Sequence, residues 1–374
     1  MWKQLENTIY AAETLGFDAD LIEKWKEKQA QLDPVLVGTD GQVKEWYEET
    51  HIGKAQAGTL PEIDIPQWRQ SLGAQSSGVQ PPHRHLSHLM ALYPCTLINK
   101  DNPEYMDAAM VSLNERGLDA TGWSKAHKLN RWARTGHAKE AFQLVQSDVG
   151  GGNSGFLTNM LCSHGAGANY KESPIFQIDG NFGACAGIAE MIMQSNSDTI
   201  RILPALPTAW KNGHMNGLKA VKDFTVDTSW KDGEPTKVTI TNNQGQSIPV
   251  LHKNLSKAMV TKNGEEIKLQ VNENGVGVIS GDKGDVFVID FTKLPTAISQ
   301  AANAENAITV QAEGRMLNIT GNFITAKVFD LEGRKMVVTN KKQFNVPAAA
   351  GNVVLVEVSE KFGKTQTFKV VLAN

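Results

Sequence analysis

Three cysteines in 374 residues, Cys95, Cys162 and Cys185, are too few for a disulfide framework, and their spacing matches no metal-ligand pattern. All three read as buried small hydrophobes. No apolar run reaches the ~20 residues a membrane-spanning helix needs, so no membrane span is expected. Charge of one sign is not in excess either. A formal net charge of -3 gives no electrostatic case for nucleic acid or an anionic membrane as partner. The opening Met1-Trp2-Lys3-Gln4-Leu5-Glu6 has no basic stretch followed by an apolar one, so no secretory signal is written there. There is no Gly-x-Ser-x-Gly elbow, no Ser-His-Asp signature and no glycine-rich nucleotide loop between a strand and a helix. What is present, 41% hydrophobic and 21% charged residues, is the balance of a folded chain of two or three domains.

The chain changes character near residue 200. Before it, apolar spacing is helical. Leu5, Ile9, Ala12 and Leu15 form one stripe, closed by Gly16. Asp18 or Asp20 can cap a second helix running to about Leu32, before Pro34. Helices are also predicted over 85–92, 103–116, 123–135, 137–147, 154–162 and 183–195. Residues 51–82 have no clean period and read as a long loop or insertion. After residue 200 the pattern alternates. Strands are predicted at 224–228, 237–241, 247–252, 257–261, 267–271, 276–280 and 285–291, separated by turns such as Lys262-Asn263-Gly264. The division expected is a helical domain over 1–199, a β-sandwich over 200–291, a linker over 292–306 and a second small β-sandwich over 307–374.

Two clusters could carry chemistry. His83-Arg84-His85-Leu86-Ser87-His88 gathers three imidazoles and a guanidinium. A metal site would need further ligands that no pattern supplies, so no metal is expected. A polar cluster at a helix start is the plain reading, and recognition of sugar hydroxyls by fixed donors on Arg84 and His85 is the functional one. Phe176-Gln177-Ile178-Asp179-Gly180-Asn181-Phe182-Gly183 frames a carboxylate and an amide with glycines. Asp179 could be an N-cap, or a general base at a pocket wall. Gly180 and Gly183 would allow a tight turn or close approach to a ligand. Glu45 beside Trp46 is an acid next to an aromatic ring, which suits a sugar face or a core tryptophan beside a surface acid. Trp123 and His127 share a helical face, and Trp123 and Trp132 are spaced for core packing.

In this order these motifs resemble glycoside hydrolase family 95, which contains 1,2-α-L-fucosidases and α-L-galactosidases. The matching stretches are Gly41–Trp46, His83–Leu89 with Leu92-Tyr93-Pro94, Thr121–Ala126, Phe176–Gly183 and Leu203-Pro204-Ala205-Leu206-Pro207. The resemblance covers 1–291. It implies an (α/α)6 toroid followed by a β domain, no cofactor, and inverting hydrolysis of terminal α-1,2-linked L-fucose from an oligosaccharide or glycan. Inversion needs one acid for the leaving oxygen and one base for the attacking water. Asp179 matches the family's base-side carboxylate. Arg84 and His85 match positions that contact the sugar, with Glu45, Trp46, Trp123 and Asn181 in the other shared motifs.

Departures from the family pattern bear on the expectation. The family's general-acid glutamate lies in a Ser-Pro-Glu segment and its water-holding asparagines in an Asn-x-Asn segment, both upstream of the matched motifs. Neither precedes Gly41 here. The chain is therefore expected to be the later part of a longer polypeptide, a partial toroid inactive by itself, whose missing N-terminal part is its first partner. Ser173 stands where the family usually has a histidine, which raises α-L-galactosidase as an alternative. A non-catalytic carbohydrate-binding surface protein is the other. Residues 307–374 lie outside that match. Val328–Lys335 and Lys369–Leu372 look like sorting domains of type IX secretion, which implies a secreted or cell-surface destination for the full-length protein.

Overall fold

A computed structural model describes residues 1–33, 35–65, 83–118, 120–150, 155–164, 175–293, 308–321, 323–331, 333–349, 351–359 and 365–372. The chain divides into two compact units, Met1–Thr296 and Ala297–Asn374. Most of the linker expected over 292–306, the latter part of the 51–82 loop, and Ser173 lie outside the described residues.

Among the described residues six helices come first. They are α1 (Trp2–Leu15), α2 (Ala19–Ala30), α3 (Pro103–Arg116), α4 (Gly122–Thr135), α5 (Ala138–Val149) and α6 (Ile178–Ile192). The first two follow the sequence closely. Gly16 closes α1 at φ 65°, and Asp18 caps α2 through the Leu21 amide. Ile9, Ala12 and Ile22 form a small core of their own between these two helices, with Leu5 and Trp25 against it. Pro103 opens α3, where its missing N–H costs nothing. A two-stranded ribbon, β1 (Lys54–Ala55) with β2 (Ile63–Asp64), stands in the 51–82 segment. The main helical core gathers Leu89, Leu92, Leu113, Leu129, Trp132, Leu144 and Met191.

Three expectations are corrected. The segment 85–92 is not a full helix but a single 3-10 turn, Ser87–Ala91. Residues 156–162 are not helical. Phe156 pairs with Cys162, and Ser163 with Phe176, as isolated β-bridges. Helix α6 starts at Ile178, five residues before the expected start, which puts Asp179 inside the first turn.

The sheets of the first unit follow. Strands β3 (Met193–Gln194), β4 (Ile200–Ile202), β5 (Gly213–Ala220), β6 (Phe224–Lys231), β7 (Glu234–Asn242), β8 (Ser247–Leu251), β9 (Met259–Lys262), β10 (Glu265–Ile267), β11 (Val276–Ser280) and β12 (Val286–Asp290) form two sheets. Their orders are β10-β9-β12-β7-β6-β5 and β11-β8-β4-β3, with β4 parallel to β8. In β6, Phe224, Val226, Thr228 and Trp230 alternate inward. The β6–β7 hairpin turns on Asp232 and Gly233, both at positive φ, as a two-residue hairpin needs. Both sheets feed one core that includes Ile200, Phe224, Ile240, Val250, Val260 and Phe287.

The second unit has β13 (Thr309–Glu313), β14 (Met316–Thr320), β15 (Thr325–Phe329), β16 (Lys335–Thr339), β17 (Gln343–Asn345), β18 (Val353–Ser359) and β19 (Thr365–Val371). They form sheets ordered β13-β14-β17 and β16-β15-β18-β19 around Leu317, Ile319, Val328, Val354, Val356 and Leu372.

Candidate functional site

Helix α4 organises the site. It carries a basic residue at every third position, Lys125, Lys128, Arg131 and Arg134, and all four are buried. Each is committed inward. Lys128 Nζ donates to the Arg116 carbonyl at 2.9 Å, at the carbonyl-rich end of α3. Arg134 forms a two-pronged pair with Glu190 of α6, at 2.8 and 3.1 Å, and binds the Leu92 and Cys95 carbonyls. Ser124 Oγ donates to the Arg84 carbonyl. At the end of α3, Arg116 donates from Nη1 to the His83 carbonyl at 3.1 Å and to the His85 carbonyl, and from Nη2 to Glu45 Oε2 at 2.7 Å. The stretch 83–85 is thus tied down by its backbone from α3 and α4. His83 Nδ1 accepts from the His85 amide at 3.2 Å, and Arg84 Nε is buried with no hydrogen-bond partner.

His85 and Trp123 meet edge to face, with ring centroids 6.0 Å apart. Trp123 is 44% exposed. It is not the core tryptophan its spacing suggested, whereas Trp132 is buried. Trp123 Nε1 donates to His127 Nε2 at 2.6 Å. An indole nitrogen can only donate, so that Nε2 carries no proton. Burial, reinforced by Arg131, pushes the His127 imidazole down to about 4, which agrees. His85 is also pushed down to about 4, by burial first and then by Arg84 and His83. Both rings are neutral near pH 7.

The Trp123 amide donates to Gln177 Oε1 at 2.9 Å, which ties the start of α4 to the start of α6. Gln177 holds the N-cap position of α6, and no side chain caps that end. Asp179 is exposed on the first turn. No hydrogen bond or ion pair to another described residue engages its carboxylate, so it is not spent as a cap. Gly180 and Gly183 serve packing rather than a ligand. A Cβ on Gly180 would lie 2.2 Å from Cys162 Sγ, and one on Gly183 2.3 Å from Ala126 Cβ. The glycines let α6 lie close against α4. Asn181 is engaged at both ends: its Oδ1 accepts from the Cys162 amide and its Nδ2 donates to the Met160 carbonyl, each at 2.8 Å. It straps the 156–163 segment beside Asp179. Cys162 is buried there, Cys95 is half-buried and Cys185 is exposed, so the three cysteines do not share one environment.

Two further carboxylates lie in this neighbourhood, Asp148 buried and Glu45 with a side chain 9% exposed. Glu45 is held by Ser87, by Arg116 and by His88 at 3.7 Å. Burial opposes its charge, but the His88 and Arg116 contacts outweigh it and hold the carboxyl well below the usual carboxylate range. Asp148 sits 3.7 Å from Lys125, and burial pushes it up to about 6. Asp148 is closed off from a solvent-borne substrate in this conformation, whereas Glu45 reaches the edge of a cavity with its charge already paired to Arg116.

Residues 1–192 match the glycosyl hydrolase family 95 catalytic domain, and 194–289 match the family's C-terminal domain. The chain belongs to glycoside hydrolase family 95. It is 31% identical over 261 residues to alpha-L-fucosidase 2 of Arabidopsis thaliana, covering 67% of this chain and 27% of that protein. It is 31% identical over 256 residues to probable alpha-fucosidase A of Aspergillus oryzae, covering 61% of this chain and 31% of that one. The family-95 chain thus spans less than a third of the length of either relative. Among solved structures a GH127 beta-arabinofuranosidase aligns at 14% identity and a TM-score of 0.22, over 71% of this chain and 45% of that one, a likeness too slight to carry an argument.

Of the family-95 residues singled out in the sequence, Arg84, His85 and Trp123 fall into one chain of contacts through Ser124, and Gln177, two residues before Asp179, ties the start of α6 to it. Glu45 and Asn181 support it from behind. Trp46 is apart from Arg84, His85, Trp123 and Asp179, 37% exposed and lining a cavity that Glu45 also reaches and none of those four lines. Sequence reasoning missed Arg116, because an arginine in the last turn of a helix is most often a solvated charge facing the helix dipole.

Proposed function

We propose that this chain carries the water-activating side of an α-L-fucosidase-type site that hydrolyses terminal α-1,2-linked L-fucose with inversion. Asp179 is the general base. Arg84 and His85 donate to ring hydroxyls, and Trp123 offers an apolar face to the sugar. The carrying observation is the contrast between carboxylates: Asp179 is exposed with no hydrogen bond or ion pair to another described residue, whereas Glu45 is paired with Arg116 and Asp148 is buried. A neutral His85 suits an uncharged ligand, since it can both donate and accept.

Inversion requires a second carboxyl several ångströms away to protonate the leaving oxygen. In this reading it comes from a segment outside these 374 residues, and the six helices are part of an (α/α)6 toroid that such a segment completes. The two sheets of residues 193–290 are then the family's β-sandwich. Residues 307–374 are a separate β-sandwich that acts as a type IX secretion sorting module and directs the protein to the cell surface.

Release of fucose from 2′-fucosyllactose tests the reading. The 374-residue chain alone should give no measurable turnover. In a longer polypeptide that is active, Asp179→Asn should lower kcat by about 10²- to 10⁴-fold with a far smaller change in KM. Turnover by the isolated chain, or an unchanged kcat in the variant, contradicts it. Ser173 favours a second reading, α-L-galactosidase, which predicts faster turnover of the L-galactoside than of the fucoside in the same assay.

A further inference from the structure

A cavity of about 460 Å³ opens between the chain leaving α2 and the segment around Trp46, with His88 also in its lining. It is lined by Asp33, Lys44, Glu45, Trp46, Tyr47 and His88 among others, and by none of Arg84, His85, Trp123 or Asp179. We propose that this cavity is a second saccharide site, which takes an uncharged sugar ring stacked on Trp46.

Four observations carry this. Trp46 is 37% exposed where it lines the cavity, and no ring packs on it among the described residues. Tyr47 is more exposed still, at 71%, and has Lys44 Nζ 5.5 Å from its ring centroid. The lining includes both a donor, Lys44, and acceptors, Asp33 and Glu45, which suits hydroxyl groups because each both donates and accepts. His88 has a side chain only 3% exposed, with an Nδ1 that makes no hydrogen bond and faces Glu45 at 3.7 Å. Burial keeps this imidazole neutral, so it adds polarity without charge. The Glu45 charge is already balanced by Arg116 at 2.7 Å. An anionic ligand would meet the Asp33 and Glu45 carboxylates with Lys44 as its single cation in this set. Glu45 and Arg116 join the cavity to the backbone of residues 83–85, so a glycan held here lies one residue layer behind the proposed fucose site. The site rests on that reading only in assuming a glycan ligand.

The test uses the full 374-residue chain carrying 5-fluorotryptophan, whose eight tryptophans give separate fluorine resonances. Trp46→Phe and Trp123→Phe assign two of them. Lactose, the probe for an uncharged sugar without fucose, should move the Trp46 resonance and leave that of Trp123 in place. L-fucose should do the reverse. Trp46→Ala should weaken lactose binding roughly tenfold or more with L-fucose binding unchanged, while Trp46→Phe keeps most of it. An unmoved Trp46 resonance at saturating lactose, or a response to glucuronate in place of lactose, overturns the proposal. If L-fucose fails to move Trp123 while lactose moves Trp46, the fucosidase reading falls and this site stands.

Discussion

Replacing Arg116 by Met should do more damage than its position at the end of α3 suggests. Its guanidinium fills the His83 and His85 carbonyls and one Glu45 oxygen, and its side chain is 4% exposed. Removing it strands a carboxylate that is 9% exposed, together with two carbonyls. Breaking a buried ion pair from one side costs about 3–5 kcal/mol. Glu45→Gln removes the charge but keeps an acceptor for Arg116, so it should cost about 1–2 kcal/mol. In the double variant no buried charge is left alone, and its cost should fall short of the sum by about 2 kcal/mol. Urea denaturation followed at 222 nm measures this, because all six helices belong to the first unit. The pH dependence supplies a second check. In the native chain the Glu45 carboxyl is held low, so its contribution is present above pH ~4.5 and is lost as pH falls below that. In Arg116→Met, burial would raise that carboxyl instead, and the deficit should shrink between pH 7 and 5. Additive single-variant costs, or a loss below about 1 kcal/mol for Arg116→Met, would mean that the pair behaves as a solvated one.

Acidification should also weaken the fold through its buried histidines. His85, His127 and His252 are each pushed by burial to about 4. Between pH 6.5 and 4 the unfolded chain therefore binds more protons than the native one, and Tm should fall as pH drops through that window and stay flat above it; a Tm that rises on acidification refutes the neutral, buried state of these rings. Gly183→Ala should destabilise by about 1–3 kcal/mol, because the new methyl would sit 2.3 Å from Ala126 Cβ and push α6 off α4. Helix-to-helix separation at that point is read by the Trp123 resonance, and a neutral substitution with that resonance unmoved would show that the two helices have slack.

Much of the architecture was legible because local pattern and final packing agree. The α1 stripe of Leu5, Ile9 and Ala12 supplies that helix's buried face, and the alternation in 224–230 is the inward set of β6. Failures occurred where distant contacts decide. Phe156, Leu157, Met160 and Leu161 have helix-like spacing, yet the segment is held open by pairing with Phe176 and by the Asn181 amide. Gly180 and Gly183 suggested a tight turn or close approach to a ligand, whereas Gly180 packs against Cys162 and Gly183 lets α6 lie against α4. Strand β5 was missed because its exposed residues and Gly217, at φ 76°, break the alternation. Among candidate site residues, types and order pointed to Asp179, Arg84, His85 and Trp123. Nothing local could separate Trp46 from them, since sequence distance says little about which cavity a side chain lines.

The most direct test is of the carboxylate itself. With aspartate carboxyl carbons labelled, Asp179→Asn identifies the Asp179 resonance, and L-fucose is titrated into the 374-residue chain. The Asp179 carboxyl signal should move with the sugar, and Arg84→Ala should abolish that movement. L-fucose that binds while the signal stays in place contradicts the assignment of Asp179 as the base.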